Sequence, residues 1–232
     1  MRHRIYTRDP LTDAVTIGGE EFHHAARVVR VREGEEVELF DGEGRAASGV
    51  VESIASNALV VRVASPIDSR ESENSIDLAM AIIQLEKFEL VLQKATELGV
   101  RSIIPLETDR QEIRAERYKG KHERWQKILF EATKQSGRAV IPKLESPTKF
   151  EALMSRENKI VFDAEAPPAT EQPSNQATVL IGPEGGWSDR ELSSARDHGC
   201  MFATLGARRL RAETAAIVAC ALLNDRFTRR RD

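Results

Sequence analysis

Two short stretches hold the residues best suited to chemistry. Ile181-Gly182-Pro183-Glu184-Gly185-Gly186-Trp187-Ser188 sets three glycines and a proline after the apolar run Thr178 to Ile181. Leu205-Gly206-Ala207-Arg208-Arg209-Leu210-Arg211-Ala212-Glu213 sets a glycine and three arginines after Phe202 to Leu205. A glycine-rich loop exposes backbone N–H and C=O groups, and beside apolar Ile181 and Trp187 these can hydrogen-bond an adenine edge and bury its faces. One such loop is equally well a tight structural turn; two of them, expected on adjacent strands, favour a site. The first loop lacks the G-x-x-x-x-G-K-[ST] pattern of a nucleoside triphosphate site, and Glu184 would repel phosphate. At the second loop, three guanidiniums before a helix suit a phosphate or a developing anion, or surface ion pairs. Glu131, Lys134, Gln135 and Arg138 form a further polar cluster. His23 and His24 are neighbours, so on a helix they diverge by roughly 100° and cannot share one metal ion. Neither H-E-x-x-H nor G-x-S-x-G occurs, so no metal site and no elbow-type serine nucleophile is expected.

Elements that could hold these loops follow from the hydrophobic pattern. Ser188 and Glu191 form an S-x-x-E capping box, so the first loop opens a helix. Ala212 to Leu223 is an alanine-rich helix behind the second. Upstream, Ile76 to Ile83 reads as a strand, and Glu86 to Leu98 sets Phe88, Val91, Leu92, Ala95 and Leu98 on one helical face before Gly99. Ser102 to Leu106 is a strand and Glu116 to Gln135 one long helix with Trp125, Ile128, Leu129 and Ala132 inward. Lys149 to Met154 is a short helix, Ile160 to Phe162 a strand, and Pro167, Pro168 and Pro173 mark a surface loop. This alternation predicts an α/β fold, a mainly parallel sheet with helices on both faces, whose ligands sit beyond the carboxyl ends of the strands.

The first ~65 residues follow a different grammar. Arg4 to Tyr6 and Ala14 to Ile17 are short strands, Glu20 to about Val29 a helix. Glu36 to Phe40, Ala46 to Ile54 and Leu59 to Val63 alternate polar and apolar residues, with turns at Asp41-Gly42 and Ser56-Asn57. Small twisted sheets of this kind often close into a barrel. Gly42-x-Gly44-x-x-Ala47 imitates a dinucleotide fingerprint but leads into another strand, which makes it a hairpin. Pro66 to Ser75 is polar and unpatterned, a linker.

Composition sets outer bounds. The 232 residues are 41% hydrophobic and 31% charged with a net charge of -3, a globular balance that excludes a uniformly basic nucleic-acid binder. Charge is nevertheless uneven: residues 109–149 hold eleven Lys/Arg against six Asp/Glu, and residues 206–232 hold seven against three. Such local excess attracts phosphate, or marks a solvated helix face and a basic tail. No apolar run approaches the ~18 residues of a membrane span. Met1-Arg2-His3-Arg4 leads directly into strand-like sequence without a signal-peptide core, so a cytoplasmic protein with no membrane partner is expected. Cys200 and Cys220 lack C-x-x-C spacing and are expected as small core residues.

The two loops together resemble the signature pair of the SPOUT-class methyltransferases that modify uridine N3 in small-subunit ribosomal RNA, the RsmE family. The likeness extends to Lys94-Ala-Thr-Glu-Leu-Gly-Val100, to Glu131-Ala-x-x-Gln135-Ser-Gly-Arg138 followed by Pro142, and to Gly34 through Gly42, which is most of the chain. It implies an N-terminal PUA-like RNA-binding β-barrel over residues 1–68 and a SPOUT-type α/β domain with a C-terminal trefoil knot over residues 76–232. It also implies a homodimer and S-adenosyl-L-methionine as methyl donor, with 16S ribosomal RNA, on the assembled small subunit, as substrate. On this resemblance Ile181, Gly182, Pro183, Glu184, Gly185 and Gly186 match the first cofactor loop, and Leu205, Gly206 and Leu210 the second. Arg138, Arg211 and Glu213 fall on matching polar positions. Arg209 departs from the pattern, which has an aliphatic residue there, and Gln84-Leu-Glu-Lys87-Phe lacks the glycine that commonly follows the lysine.

Uridine N3 carries a proton and is a poor nucleophile until that proton leaves. Arg138 or Arg211 would stabilise the uracil anion, with Glu213 as proton acceptor, as the residue orienting an arginine, or simply as a carboxylate favoured at a helix start. Arg27, Arg30, Arg32 and Lys134, with the basic stretch 109–149, would hold the RNA backbone. A non-catalytic ribosome-assembly factor of the same fold, and a methyltransferase acting on another RNA, are the competing readings.

Overall fold

A computed structural model describes residues 2–72, 74–168 and 175–229, and divides into two compact units. The first comprises residues 1–71 and 133–141, the second residues 72–132 and 142–232. The chain therefore lends a short internal segment, 133–141, to the unit formed by its N-terminus, a long-range exchange that no local pattern announces.

In the first unit, β1 (His3–Tyr6), β2 (Ala14–Gly18), β3 (Glu36–Phe40), β4 (Ala46–Ile54) and β5 (Ala58–Pro66) form a sheet in the order β1-β3-β4-β5-β2. Only the β1–β3 ladder is parallel. Alternation places Val37, Leu39, Val51, Leu59 and Val61 in one core with Ile5, Val15 and Ile17. Gly49 sits at a register shift in β4, where a Cβ would lie 2.6 Å from Val61 Cγ1 and 3.0 Å from the Arg62 carbonyl, so the bend requires glycine. The expected helix from Glu20 is not uniform. It begins as α1 (Gly19–His23) and continues as a π-helical turn, His24–Val29, that ends on Arg30 in the left-handed conformation with φ 63°.

The second unit holds a parallel sheet. Its strands are β6 (Ser75–Ala81), β7 (Ser102–Glu107), β8 (Lys143–Leu144), β9 (Thr148–Lys149), β10 (Lys159–Phe162), β11 (Gln176–Ile181) and β12 (Met201–Ala203), in the order β12-β10-β11-β6-β7-β8 with β9 also on β7. Strands covered on both faces read as continuous apolar runs, and β6, β7 and β11 do. Ala79, Ile104, Val161 and Leu180 share one face, packed with Phe150, Leu153, Met154, Trp187 and Ala195 from a 3-10 helix (Phe150–Ser155) and α5 (Asp189–Asp197). Against the sheet also lies α6 (Ala212–Arg229), touching β6, β11 and α2 (Leu85–Glu97). On α2 the expected face is buried at Phe88, Val91, Leu92 and Ala95, and Gly99 at φ 80° ends the helix.

Two expectations are corrected. The long helix from Glu116 is split into α3 (Ala115–Tyr118) and α4 (His122–Ser136), because Gly120 takes φ 83° between them. The two glycine loops do not follow adjacent strands: β10 lies between β11 and β12. Of the expected proline loop, Pro167 and Pro168 run beside Thr204, whose N–H reaches the Pro167 carbonyl at 3.1 Å; Pro173 lies outside the described residues.

At the amino ends of the second sheet a charge cluster surrounds one buried carboxylate, Asp77. Asp77 accepts from Arg101 at 2.6 Å, from Ser102 at 2.7 Å and from Arg156 at 3.2 Å, and Arg156 also holds Glu145. Burial alone would raise the Asp77 carboxyl, but the hydrogen bonds from Arg101 and Ser102 and the two guanidinium charges outweigh it and hold it below the usual carboxylate range.

Candidate active site

A cavity of about 810 Å³ in the second unit opens beyond the carboxyl ends of β10, β11 and β12, lined by residues 162–165, 181–187, 204–205 and 208–212 with Arg110, Asp189, Leu192 and Ala215. This is where an open parallel sheet is expected to hold a ligand.

The first loop is braced from below. Trp187 is 4% exposed, its indole N–H donates to the Phe162 carbonyl at 3.0 Å, and its ring packs on Phe150 at 5.3 Å. Gly182 rests on that indole so closely that a Cβ would stand 3.0 Å from Cε2. Trp187 is therefore first a prop of the loop, with its faces largely spent in the core, rather than a free platform for an adenine ring. Gly186 closes a turn, its N–H on the Pro183 carbonyl at 2.9 Å, and takes φ 70°. Beyond it the predicted capping box is present: Ser188 Oγ accepts from the Glu191 N–H at 3.2 Å and the Glu191 carboxylate accepts from the Ser188 N–H at 2.8 Å. Glu191 is fully buried, and its other oxygen accepts the Asp109 N–H at 3.0 Å. A Cβ on Gly185 would lie 3.2 Å from the Arg110 carbonyl, so the segment at 109–110 presses against the loop from one side. On that side Arg190, through the strongest of its hydrogen bonds, and Ser188 lower the Asp109 carboxyl.

Across the cavity, Gly206 takes φ 110°, a conformation that glycine alone adopts readily. Arg208, Arg209 and Arg211 are exposed, and Arg209 Nη2 donates to the Glu184 carbonyl at 3.3 Å. The Glu184 carboxylate meets Lys87 at 3.3 Å. Glu184 thus joins the first loop to α2 by its side chain and to the second loop by its backbone. Glu213 stands in the first turn of α6, and its Oε2 is buried without a hydrogen-bond partner. An orphaned carboxylate oxygen beside a cavity is a candidate acceptor for a ligand proton.

Two family models divide the sequence between them: an RNA methyltransferase PUA domain over residues 17–64 and an RNA methyltransferase domain over residues 70–224. Relatives called ribosomal RNA small subunit methyltransferase E include those of Rickettsia conorii, 29% identical over 94% of this chain and 93% of the relative, and of Mycobacterium tuberculosis, 32% identical over 90% and 86%. The chain belongs to the ribosomal RNA small subunit methyltransferase E family. Solved structures agree. The family member from Neisseria gonorrhoeae, bound to S-adenosyl methionine, superposes with a TM-score of 0.85 at 28% identity, covering 96% of this chain and 97% of that one. A Legionella pneumophila protein in complex with the cofactor SAM gives 0.85 at 32% identity, covering 97% and 98%.

Within this family fold, the residues expected in the two cofactor loops come together. Ile181, Gly182, Pro183, Glu184, Gly185, Gly186, Leu205, Leu210 and Arg211 all line the cavity. Gly206 shapes the second loop, and Glu213 lies in the first turn of the helix that follows. Other expected residues are elsewhere. Arg138 is 5% exposed within the first unit, where it forms a 2.8 Å ion pair with Glu71, whose carboxylate also accepts the Ala139 and Val140 N–H groups. Lys134, expected at an RNA surface, is instead 9% exposed and spends its charge on Glu21 at 2.9 Å. Arg27, Arg30 and Arg32 are exposed on the first unit. Residue patterns missed Phe162, Asp163, Ala164 and Glu165, which enter the lining because β10 separates the other two strands. The signal available for them was the drop from the apolar run Ile160 to Phe162 into an acidic loop. No cluster of three metal-ligating side chains exists among the described residues.

Proposed function

We propose that this chain transfers the methyl group of S-adenosyl-L-methionine to N3 of one uridine in 16S ribosomal RNA, in the cytoplasm and on the small subunit. The observation that carries the reading is the cavity walled by two glycine loops at the strand ends, in a chain whose relatives with that architecture hold this cofactor. The donor set suits it. Backbone groups of Gly182 to Gly186 would hold an adenine edge, Ile181, Leu205 and Leu210 would cover its faces, and Asp163 and Glu165 would accept from hydroxyl or ammonium groups. When bound, the cofactor supplies a methyl group on a positively charged sulfur.

The chain's own contribution is then to place the base and to manage one proton. Arg211, exposed at the cavity rim, is positioned to stabilise negative charge on a uracil oxygen, which lowers the cost of removing the N3 proton. The unpartnered Oε2 of Glu213 accepts that proton or orients Arg211. Arg138 is the alternative candidate for that charge stabilisation, and would have to leave Glu71 to provide it. Because the base must be reached from one side, the uridine is unpaired or flipped from its stack.

The same reading assigns residues 1–68 to a PUA-like RNA-binding barrel and residues 76–232 to a SPOUT domain with a C-terminal trefoil knot. The knot rests on the family resemblance, and the segment it would involve is the return from β12, at the sheet edge, into α6 against β6 and β11. It also assigns a homodimer, for which α6 offers a face: Leu222 is 42% exposed beside half-buried Val218 and Ala221.

The test is incubation with labelled S-adenosyl-L-methionine and small ribosomal subunits lacking the modification, then nucleoside mass spectrometry. 3-Methyluridine at a single site is the expected product. Another methylated nucleoside would overturn the substrate assignment, and RNA binding without transfer would favour an assembly factor.

A further inference from the structure

Glu184 is held at both of its ends. Its carbonyl, in the first cofactor loop, accepts from Arg209 Nη2 at 3.3 Å, and its carboxylate meets Lys87 Nζ at 3.3 Å. Arg209 lines the cavity, whereas Lys87 stands outside it, in the first turn of α2. The carbonyl of the next residue, Gly185, accepts from Arg110 Nη1 at 3.4 Å. Two successive carbonyls of the loop are thus taken by guanidiniums from two other loops, and one carboxylate by a helix. Three of the residues 182–186 are glycine, which loses the most freedom on ordering, so outside contacts decide how firmly the loop stays in place.

The anchor on α2 is rigid. The Lys87 and Phe88 N–H groups reach the Gln84 carbonyl at 2.9 and 3.0 Å, and Phe88 is fully buried with its ring 4.8 Å from that of Trp125. Phe88 stands where the family pattern commonly has glycine, and Arg209 where it has an aliphatic residue. Both departures therefore lie on the contacts of Glu184. A glycine at 88 would not fill the space beside Trp125, and an aliphatic side chain at 209 has nothing to donate to a carbonyl.

We propose that Lys87, acting through Glu184 together with Arg209, is a positioning residue of the cofactor site. The three residues form a strap that keeps the first loop in place at the cavity and slows the escape of S-adenosyl-L-methionine. This rests on the methyltransferase reading above and adds to it a residue that does not touch the cavity. Magnitude decides what kind of device it is. The Lys87 and Glu184 side chains are 31% and 40% exposed, and an ion pair that open to water is weak and screened by salt. It cannot lock the loop, but it sets how often the loop opens. The effect falls on dissociation of the cofactor.

Stopped-flow displacement of S-adenosyl-L-methionine reads that rate directly. In Lys87→Met, which keeps the apolar stem and suits a helix, dissociation should be roughly two- to fivefold faster with the melting temperature unchanged. Added potassium chloride should speed dissociation from the wild type and leave Lys87→Met flat, and Lys87→Arg should restore the wild-type rate. Because Lys87 and Arg209 hold the same residue, joining Lys87→Met to Arg209→Leu should give less than the product of the two single effects. A wild-type rate or an undiminished salt response in Lys87→Met, or simple multiplication in the double variant, would overturn the strap. Cofactor binding and methyl transfer by the wild type keep the two claims apart: both present with a neutral Lys87→Met sink only the strap, whereas no wild-type binding sinks the reading beneath it as well.

Discussion

Replacing Gly182 with alanine tests the idea that the first cofactor loop is shaped by contact with Trp187. Gly182 does not lie in the left-handed region, so the added methyl costs nothing in backbone conformation. Its cost is steric: the Cβ would meet Trp187 at 3.0 Å from Cε2, 3.2 Å from Cδ2 and 3.4 Å from Cζ2. Carbon atoms prefer about 3.5–4.0 Å, so two ring atoms are crowded at once and the third is already in contact. The indole cannot simply retreat, being held by the Phe162 carbonyl on its N–H and by Phe150 at 5.3 Å on its ring. The loop must therefore lift. Overpacking of this kind costs about 1–3 kcal/mol, and about 2 kcal/mol corresponds to a melting temperature lower by roughly 4–8 °C in a protein of this size. Calorimetry should also find weaker S-adenosyl-L-methionine binding, because the displaced backbone groups line the cavity. In a Trp187→Phe background, where the ring is smaller and its hydrogen bond gone, the added penalty of Gly182→Ala should shrink by more than 0.5 kcal/mol, the usual sign of coupled neighbours. Full additivity, or an unaltered melting temperature and affinity in the single variant, would refute the reasoning.

Other outcomes follow from neighbouring contacts. Gly186→Ala meets no atom within 4 Å but must hold φ 70°, so it should cost about 1 kcal/mol through conformation alone and show no coupling to Trp187. Arg209→Leu removes the 3.3 Å link to the Glu184 carbonyl, and the cofactor's dissociation rate, read by stopped flow, should rise severalfold with the association rate little changed. Because the folded Asp77 carboxyl titrates below its unfolded value, its stabilisation is complete above about pH 4 and is lost as pH falls through the folded pKa. Asp77→Asn should accordingly flatten the acid limb of an unfolding series while lowering stability at neutral pH. Burial pushes the Cys220 thiol up to about 12 and raises Cys200, so a thiol reagent at pH 8 should leave the native chain untouched and modify both cysteines once it is unfolded.

Local chemistry made the loops and most elements legible from residue order alone. Three glycines after an apolar run, Ser188 three residues before Glu191, and the spacing of Phe88, Val91, Leu92 and Ala95 are decided within one or two turns of chain, where period and capping operate. The alternating strands of the first unit were visible for the same reason. What lay beyond that range was the order of the strands: β10 between β11 and β12, with residues 162–165 admitted to the cavity as a result. So was the fate of charges. Lys134 read as a cation for the RNA backbone and Arg138 as one for the uracil anion because their partners Glu21 and Glu71 lie more than sixty residues away, and only chain folding across that distance buries the pairs. Gly120 and the left-handed Arg30 show the same limit at short range, since each changes a helix through a backbone angle that hydrophobic spacing does not report. The sequence by itself determined which segments turn, cap and bury a face. Tertiary structure decided which of those segments meet, because pairing between distant strands and charges depends on the closure of the whole chain rather than on any residue's neighbours.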